Sequence, residues 1–387
     1  MNARTQAECA ALDAEDPLAK VVAQFSPGEA GVLYFDANSI GAMPLAAERA
    51  LARLGEEWRR LRKRGWTDSD WLDAPLRLGD KLAPVIGAEQ GSVVVCDSTS
   101  VNLHKMIVAA RALRPDRRVV LVEDGAFPTD NYVAENVAGT LRRVAGPQSI
   151  AAALDKDVAV LFLTHTDYRT SYRHEIAALT KLAHERGAVT VWDLSHSAGA
   201  VACDIAAGGA DFAVGCGYKY LCGGPGSPAW LYVAPRHQAA VRPAIAGWMG
   251  HAEPMAFDAG YRPAPGVRRH LAGTPPVSGN MLMEAALDLW RDIDPSTAFA
   301  KHAVLGELLI RLVESPALAL ASPRDAARRG GFVAFRHTDA AAFVSALEKN
   351  GVIASYRKPD IVRFGLSPLY HRFTDIFELG QRLGRVL

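Results

Sequence analysis

The chain is short of the features that mark secreted, metal-bound or membrane-embedded proteins. It holds five cysteines, at positions 9, 96, 203, 216 and 222. They are odd in number, form no CxxC pair and show no metal spacing, which argues against a disulfide scaffold or a zinc site and for a reducing compartment. Charge of one sign is also missing, since 43 Lys+Arg face 42 Asp+Glu. That balance leaves no electrostatic case for nucleic acid or a membrane surface. No apolar run approaches the roughly 20 residues needed to span a bilayer. The opening MNARTQAECAALDAEDPLAK carries acids where a signal peptide needs an apolar stretch. A soluble, cytoplasmic protein is the expectation. The one basic cluster, Arg59-Arg60-Leu61-Arg62-Lys63-Arg64, suits the end of a helix, where positive charge meets the C-terminal dipole.

What is present points to an α/β fold. A chain of 387 residues can bury a large core and is expected to form one large domain and one smaller one. Short β-branched runs at 92–96, 118–122, 158–163, 189–192, 212–214 and 229–233 read as strands. Between them, 101–113, 132–137 and 176–186 read as helices. Near-continuous apolar strands separated by helices predict a mostly parallel sheet covered on both faces. The site of such a sheet lies at the carboxyl ends of its strands. Residues 236–280 form a Pro- and Gly-rich excursion that keeps Trp248, His251, Tyr261 and Thr274. A single long helix is expected over about 281–313. A small α+β unit follows, with segments 331–336, 340–350, 352–354 and 361–365 and a closing helix from 374.

The most informative pair is Asp193, ending the run Val189-Thr190-Val191-Trp192, and Lys219, set among glycines in Gly217-Tyr218-Lys219-Tyr220-Leu221-Cys222-Gly223-Gly224. A lysine in an apolar, Gly-walled site loses proton affinity and can form a Schiff base. A carboxylate at a neighbouring strand end can keep a pyridine nitrogen protonated, as pyridoxal phosphate chemistry requires. Ser98-Thr99-Ser100 precedes an amphipathic helix and offers either a phosphate cradle or a plain N-cap. Phe127, in Phe127-Pro128-Thr129-Asp130, is either a face for a planar ring or a core aromatic. Asp130 is a second carboxylate near that ring or a cap for the next helix. His196, three residues after Asp193, either orients it by a hydrogen bond or is a structural histidine. Tyr218 is a phosphate ligand or a proton shuttle. Arg363, in Ile361-Val362-Arg363-Phe364-Gly365, is either a bidentate carboxylate clamp or half of a surface salt bridge.

Together these segments resemble the kynureninases, a family of fold type I pyridoxal phosphate enzymes in the class V aminotransferase-like superfamily. The resemblance runs through Asp36-Ala37-Asn38-Ser39-Ile40-Gly41, TSVNLHK, FPTD, LTHTDYRTSY, WDLSHSAGA, GCGYKYLCGGPGS, GWMGH, LAGTPPV and RFGLSPLY. The chain departs from common family residues at Arg169, Ser171, Gly217, Cys222, Met249 and Pro275. The resemblance implies a large cofactor-binding domain over 31–280, a small C-terminal domain over 281–387, and an N-terminal segment 1–30 packing with the small one. It implies that Lys219 carries pyridoxal 5'-phosphate and that Asp193 faces the pyridine nitrogen, with Asp130 and His196 beside it. Phe127 would stack on the ring, and Thr99, Ser100 and Tyr218 would bind at the phosphate. Pro128, Thr129, Thr164, Trp248 and Thr274 match further cofactor-site positions. Trp248 and Thr274 would reach across from the second subunit of a homodimer. Asn38, Ser39 and Arg363 would bind substrate, with Lys219, Asp193 and Tyr218 doing the proton chemistry. The implied activity is hydrolysis of L-kynurenine or its 3-hydroxy form to the corresponding anthranilate and L-alanine. The rival readings are another lyase of the same fold, such as a cysteine desulfurase, and a non-catalytic cofactor-binding protein. A desulfurase needs a cysteine on a loop beyond the lysine, and none occurs after Cys222.

Overall fold

A computed structural model describes residues 5–387; of the N-terminal segment discussed above, residues 1–4 lie outside the described residues. Strand β1 (Leu33–Tyr34) comes first. The large sheet is built from β2 (Val93–Val95), β3 (Val119–Glu123), β4 (Thr140–Val144), β5 (Val158–Thr164), β6 (Val189–Asp193), β7 (Phe212–Gly215) and β8 (Trp230–Val233). Their spatial order is β2-β8-β7-β6-β5-β3-β4. Only β8 runs against its neighbours. The six expected strands therefore appear within a residue or two of their expected bounds. They are apolar on both faces because two cores sandwich them: Leu121, Leu161, Leu163 and Trp192 face one, and Val120, Val160, Phe162 and Val191 face the other. Strand β4 was not expected. It is an edge strand with the sequence TLRRV and a half-exposed pattern, so it carries no continuous apolar run to betray it.

The second sheet contains β9 (Ala319–Leu320), β10 (Phe332–Arg336), β12 (Ser355–Arg357) and β13 (Ile361–Gly365), in the order β12-β13-β10-β9 and antiparallel throughout. Between them in sequence, β11 (Val352–Ile353) pairs in parallel with β1. The helix Gln6–Ala14 packs beside the closing helix Phe373–Leu383, with Cys9 in their shared apolar cluster. Asp13 accepts hydrogen bonds from the N–H groups of Phe373 and Thr374 at 2.7 and 3.2 Å, tying the two helices polar end to polar end.

The expected helix over 281–313 is two helices, Val277–Leu287 and Pro295–Val313. Asp294 starts the second by accepting from the N–H of Ser296, and Pro295 occupies its first position, where a missing N–H costs nothing. Met283, Ala286 and Trp290 belong to the large core, whereas Leu305, Leu308 and Leu309 belong to the small one. Ala298, inside the second helix, still belongs to the large core, so the passage between cores falls between Ala298 and Leu305. The helix over 132–137 begins earlier, at Pro128. The basic cluster does close a helix, Leu45–Leu61, and continues as a tight turn over Arg62–Arg64.

Candidate active site

Five strands of the large sheet bring their carboxyl ends to one side, and each delivers part of a polar cluster. After β2 the chain turns through Cys96, Asp97 and Ser98 into the helix Thr99–Ala112. Ser98 caps that helix, accepting from the N–H of Val101 at 3.4 Å. The N–H groups of Thr99 and Ser100 have no intrahelical acceptor and face outward from the helix start. Asp97 sits at φ 50°, in the left-handed region. Its carboxylate is held by the ammonium of Lys105, which is itself buried and also donates to the carbonyl of His270 at 2.7 Å. Sequence reasoning missed this pair, which depends on a helix turn meeting a distant loop.

After β3, Phe127 leads into the helix Pro128–Val137. Its ring is 40% exposed and meets Tyr168 edge-on at 5.4 Å. Pro128 is exposed and Thr129 half-buried. Asp130 is buried in the first helical turn and does not cap it: its carboxyl accepts from the hydroxyl of Thr164 at 3.0 Å. Thr164 ends β5 directly beside Asp193, the end of β6, in the parallel ladder. Burial, with Asp193 alongside, pushes the Asp130 carboxyl well above the usual carboxylate range. Asp130 thus holds a proton against Asp193, whose own Oδ1 accepts from the N–H of Ser195 at 2.8 Å.

His196 does not orient Asp193, contrary to the expectation. Its Nε2 lies 3.1 Å from the Lys219 amine, and its Nδ1 is buried without a partner. Burial and the neighbouring Lys219 push its pKa well below 6.5, so the ring is neutral and accepts from the lysine. Lys219 meets no carboxylate within ion-pair distance among the described residues. Its loop follows β7 and is packed through backbone. A Cβ on Gly217 would lie 2.5 Å from the carbonyl of Pro228, and one on Gly41 would lie 2.3 Å from the carbonyl of Lys219 itself. Gly41 also donates its N–H to the carbonyl of Tyr218 at 2.8 Å, which lays the segment Asp36–Gly41 against the lysine loop. The Tyr218 ring centroid is 6.0 Å from the Lys219 amine. Burial, Cys216 and Asp193 all raise the Tyr218 hydroxyl's pKa.

The small domain contributes Arg363, the middle residue of β13 and 0% exposed. It is no surface salt bridge. Its Nη1 donates to the carbonyl of Tyr168 at 2.7 Å and its Nη2 to the hydroxyl of Ser355 at 3.0 Å, while Nε has no partner. Burial and nearby Arg357 pull its pKa down to about 10. No carboxylate touches it. Asn38 is buried beside it with Oδ1 unpartnered, and Ser39 is half-buried. A buried guanidinium that lacks a counter-ion is costly unless something supplies one.

Trp248 and Thr274 stand apart. Trp248 is half-buried and stacks on Phe257 at 6.4 Å, and Thr274 is exposed. Neither shares a hydrogen bond or ring contact with the Lys219 cluster among the described residues. Tyr168 and Ser355 were not singled out in the sequence. Tyr168 lies inside the quoted LTHTDYRTSY segment, whereas Ser355 acquires its place only from strand register. No helix among the described residues is long and apolar enough to cross a membrane.

Similar proteins agree with this arrangement. Among solved structures, the chain overlays on a cysteine desulfurase from Thermococcus onnurineus NA1 with a TM-score of 0.79 at 18% identity, covering 95% of this chain and 98% of that one. It also overlays on a cystine C–S lyase in complex with its product cysteine persulfide, with a TM-score of 0.79 at 18% identity, covering 92% and 98%. These likenesses establish the fold type I architecture. The kynureninase C-terminal domain model matches residues 299–383. A kynureninase from Pseudomonas fluorescens is 44% identical, with 99% of this chain and 95% of that one covered. One from Burkholderia pseudomallei is 41% identical, covering 99% and 96%. At that identity over nearly its whole length, the chain belongs to the kynureninase family.

Proposed function

We propose that this enzyme uses pyridoxal phosphate to hydrolyse L-kynurenine, or its 3-hydroxy form, to the corresponding anthranilate and L-alanine. The observation that carries the reading is Arg363: a fully buried guanidinium in a kynureninase family chain, with no carboxylate in direct contact among the described residues and an open Nε edge for the substrate's carboxylate.

The donor set fits the cofactor. Lys219 has a free amine next to a neutral histidine; Asp193 is backed by a proton-holding Asp130; a helix start with unfilled N–H groups lies at the same sheet end. In this reading Lys219 anchors the cofactor. Asp193 faces the pyridine nitrogen, with Asp130, Thr164 and His196 around it, and Phe127, Pro128 and Thr129 line the ring. Thr99, Ser100 and Tyr218 bind at the phosphate. When bound, pyridoxal phosphate supplies a carbonyl that condenses with amines and an electron sink that makes the substrate's Cβ–Cγ bond cleavable.

The chain's own residues do the rest. Arg363 grips the α-carboxylate in a fork, and Asn38 and Ser39 shape the wall beside it. Lys219, the residue that would hold the cofactor, would also move the α-proton. Asp193 would face the pyridine nitrogen and favour its protonated form. Tyr218, with its hydroxyl kept protonated by burial, relays a proton near the lysine. Water and the γ-carbonyl give the carboxylate of anthranilate, and the three-carbon remainder leaves as L-alanine.

A homodimer is part of the proposal. Trp248 and Thr274 lie away from the cluster they would serve within one chain. The excursion that carries them also exposes Met255, Phe257 and Tyr261, at 52%, 76% and 39%. A second copy would bury that surface and receive both residues.

The test is to supply the purified protein with pyridoxal phosphate and L-kynurenine and quantify anthranilate and L-alanine. Equimolar products are expected. Release of sulfide from cysteine with no anthranilate would replace the reading with a desulfurase, and turnover of neither substrate would leave a cofactor-binding protein.

A further inference from the structure

Arg363 is held by an arrangement that no sequence motif announces. Ser355 stands directly opposite it in the antiparallel ladder of β12 and β13, so the two side chains share a face. The Ser355 hydroxyl lies 2.6 Å from Asp36 Oδ1, 3.0 Å from Arg363 Nη2 and 3.4 Å from Asn38 Nδ2. The direction of each bond is forced. A guanidinium and an amide nitrogen can only donate, so the hydroxyl accepts from both and spends its single proton on the Asp36 carboxylate. Asp36 and Asn38 belong to the segment that also lies against the lysine loop through Gly41. Two parts of the chain thus converge on one hydroxyl: the segment Asp36–Gly41, and the small-domain sheet that carries both Ser355 and Arg363.

We propose that Ser355, oriented by donating its proton to Asp36, is a positioning residue for substrate binding, fixing the fork of Arg363 and the amide of Asn38 where the α-carboxylate of the amino acid docks. This rests on reading Arg363 as the carboxylate-binding group. The hydroxyl takes one Nη donor, the Tyr168 carbonyl takes another, and the Nε edge of the fork stays open. An arginine side chain has several rotatable bonds, and two anchors on one side of its planar head leave a single orientation of the free edge. Arg357, two residues along the same strand and on the same face, pairs with no acid among the described residues and adds positive charge to the pocket.

The test compares Ser355→Ala, Ser355→Thr and Asp36→Asn in the cofactor-loaded enzyme. Kinetics with L-kynurenine are combined with titration of the cofactor's absorption by L-alanine, which carries the α-carboxylate without the aryl ketone. Ser355→Ala is expected to raise KM and weaken L-alanine binding about tenfold, the size of one lost hydrogen bond to a charged group. Its kcat should fall less than its KM rises. Ser355→Thr keeps the hydroxyl and should restore both constants to within about twofold. Asp36→Asn should act in the same direction as Ser355→Ala, and it carries the test if Ser355→Ala fails to fold. Equal L-alanine affinity in wild type and Ser355→Ala, while Arg363→Lys loses it, would overturn this role and leave the arginine's intact. Undiminished L-alanine affinity in Arg363→Lys and Arg363→Met would instead remove the reading of Arg363 beneath it.

Discussion

Two buried aspartates sit at opposite ends of the same sheet, and their surroundings differ sharply. Asp211 precedes β7 at the end away from the site. Five donors surround it: the N–H and hydroxyl of Thr190, His184, Arg236 and His237, at 2.7–3.0 Å. Burial works against its charge, but these donors win and pull its pKa below the usual range. Asp193 ends β6 at the other side. It accepts from one backbone N–H and lies against Asp130, whose carboxyl is pushed well above the usual range, and two atoms of the surrounding cluster, His196 Nδ1 and Arg363 Nε, have no hydrogen-bond partner. A polar group with every bond filled in the folded chain is a fastening. Atoms left short occur elsewhere too, but at the Asp193 end they belong to the imidazole that meets Lys219 and to the Arg363 guanidinium, and no such atom touches Asp211.

The comparison can be broken most severely at the lysine. Lys219→Ala should lose at least about 10³-fold in kcat/KM, the scale of a removed proton-transfer group, with a melting temperature close to that of the cofactor-free wild type. A variant that melts far lower would mean that the lysine is a fastening too. Asp211→Ala should show the opposite pattern. Breaking a buried charge network is expected to cost about 3 kcal/mol of stability, read by urea unfolding, while the folded fraction keeps its kcat/KM. A drop in specific activity larger than the drop in folded fraction would contradict the division.

Lys105→Met sharpens the boundary between the two classes, because Lys105 is paired yet sits under the helix start proposed to receive the phosphate. Freed from Lys105, Asp97 has less to hold its left-handed backbone. The expected result is about tenfold weaker retention of pyridoxal phosphate, with a stability loss of about 2 kcal/mol. Unchanged cofactor affinity at reduced stability would make the pair purely structural.

The last effect is graded with pH rather than tied to one side chain. Burial lowers the pKa of His165 and His270 to about 3 and of His302 and His371 to about 4, from an ordinary 6.5. Below pH 6.5 the unfolded chain takes up protons that these folded histidines refuse, so stability is full above 6.5 and falls as pH drops towards 4. Asp211 acts in the same direction at lower pH, since the stability from its depressed pKa is lost as it protonates. Between pH 7 and pH 6 the four rings together should cost about 3 kcal/mol, measured by chemical unfolding. A flat profile would show that these rings stay accessible to protons.

Much of this was legible in the sequence because it depends on patterns that a parallel sheet makes local. Apolar runs located β2, β3 and β5–β8, and the rule that sites lie at strand carboxyl ends gathered Thr99, Phe127, Asp130, Thr164, Asp193 and Lys219 before any coordinates. The remainder depends on contacts that only tertiary structure creates. The partner of His196 is Lys219 rather than Asp193, because the loop carrying the lysine folds back across the β6 end. Ser355 faces Arg363 through register, which changes face with a one-residue slip. The break at Asp294 was readable from an Asp-Pro start signal, yet the apolar periodicity on either side runs through it. The edge strand β4 carries two arginines and reads as loop.

The most direct test of the central claim is covalent. The cofactor-loaded enzyme would be reduced with sodium borohydride, which fixes a Schiff base as a stable amine, and its peptides mapped by mass. The account predicts the pyridoxyl group on Lys219, and loss of the label in Lys219→Ala. A label on Lys105, Lys301 or any other lysine, retained in Lys219→Ala, would contradict it.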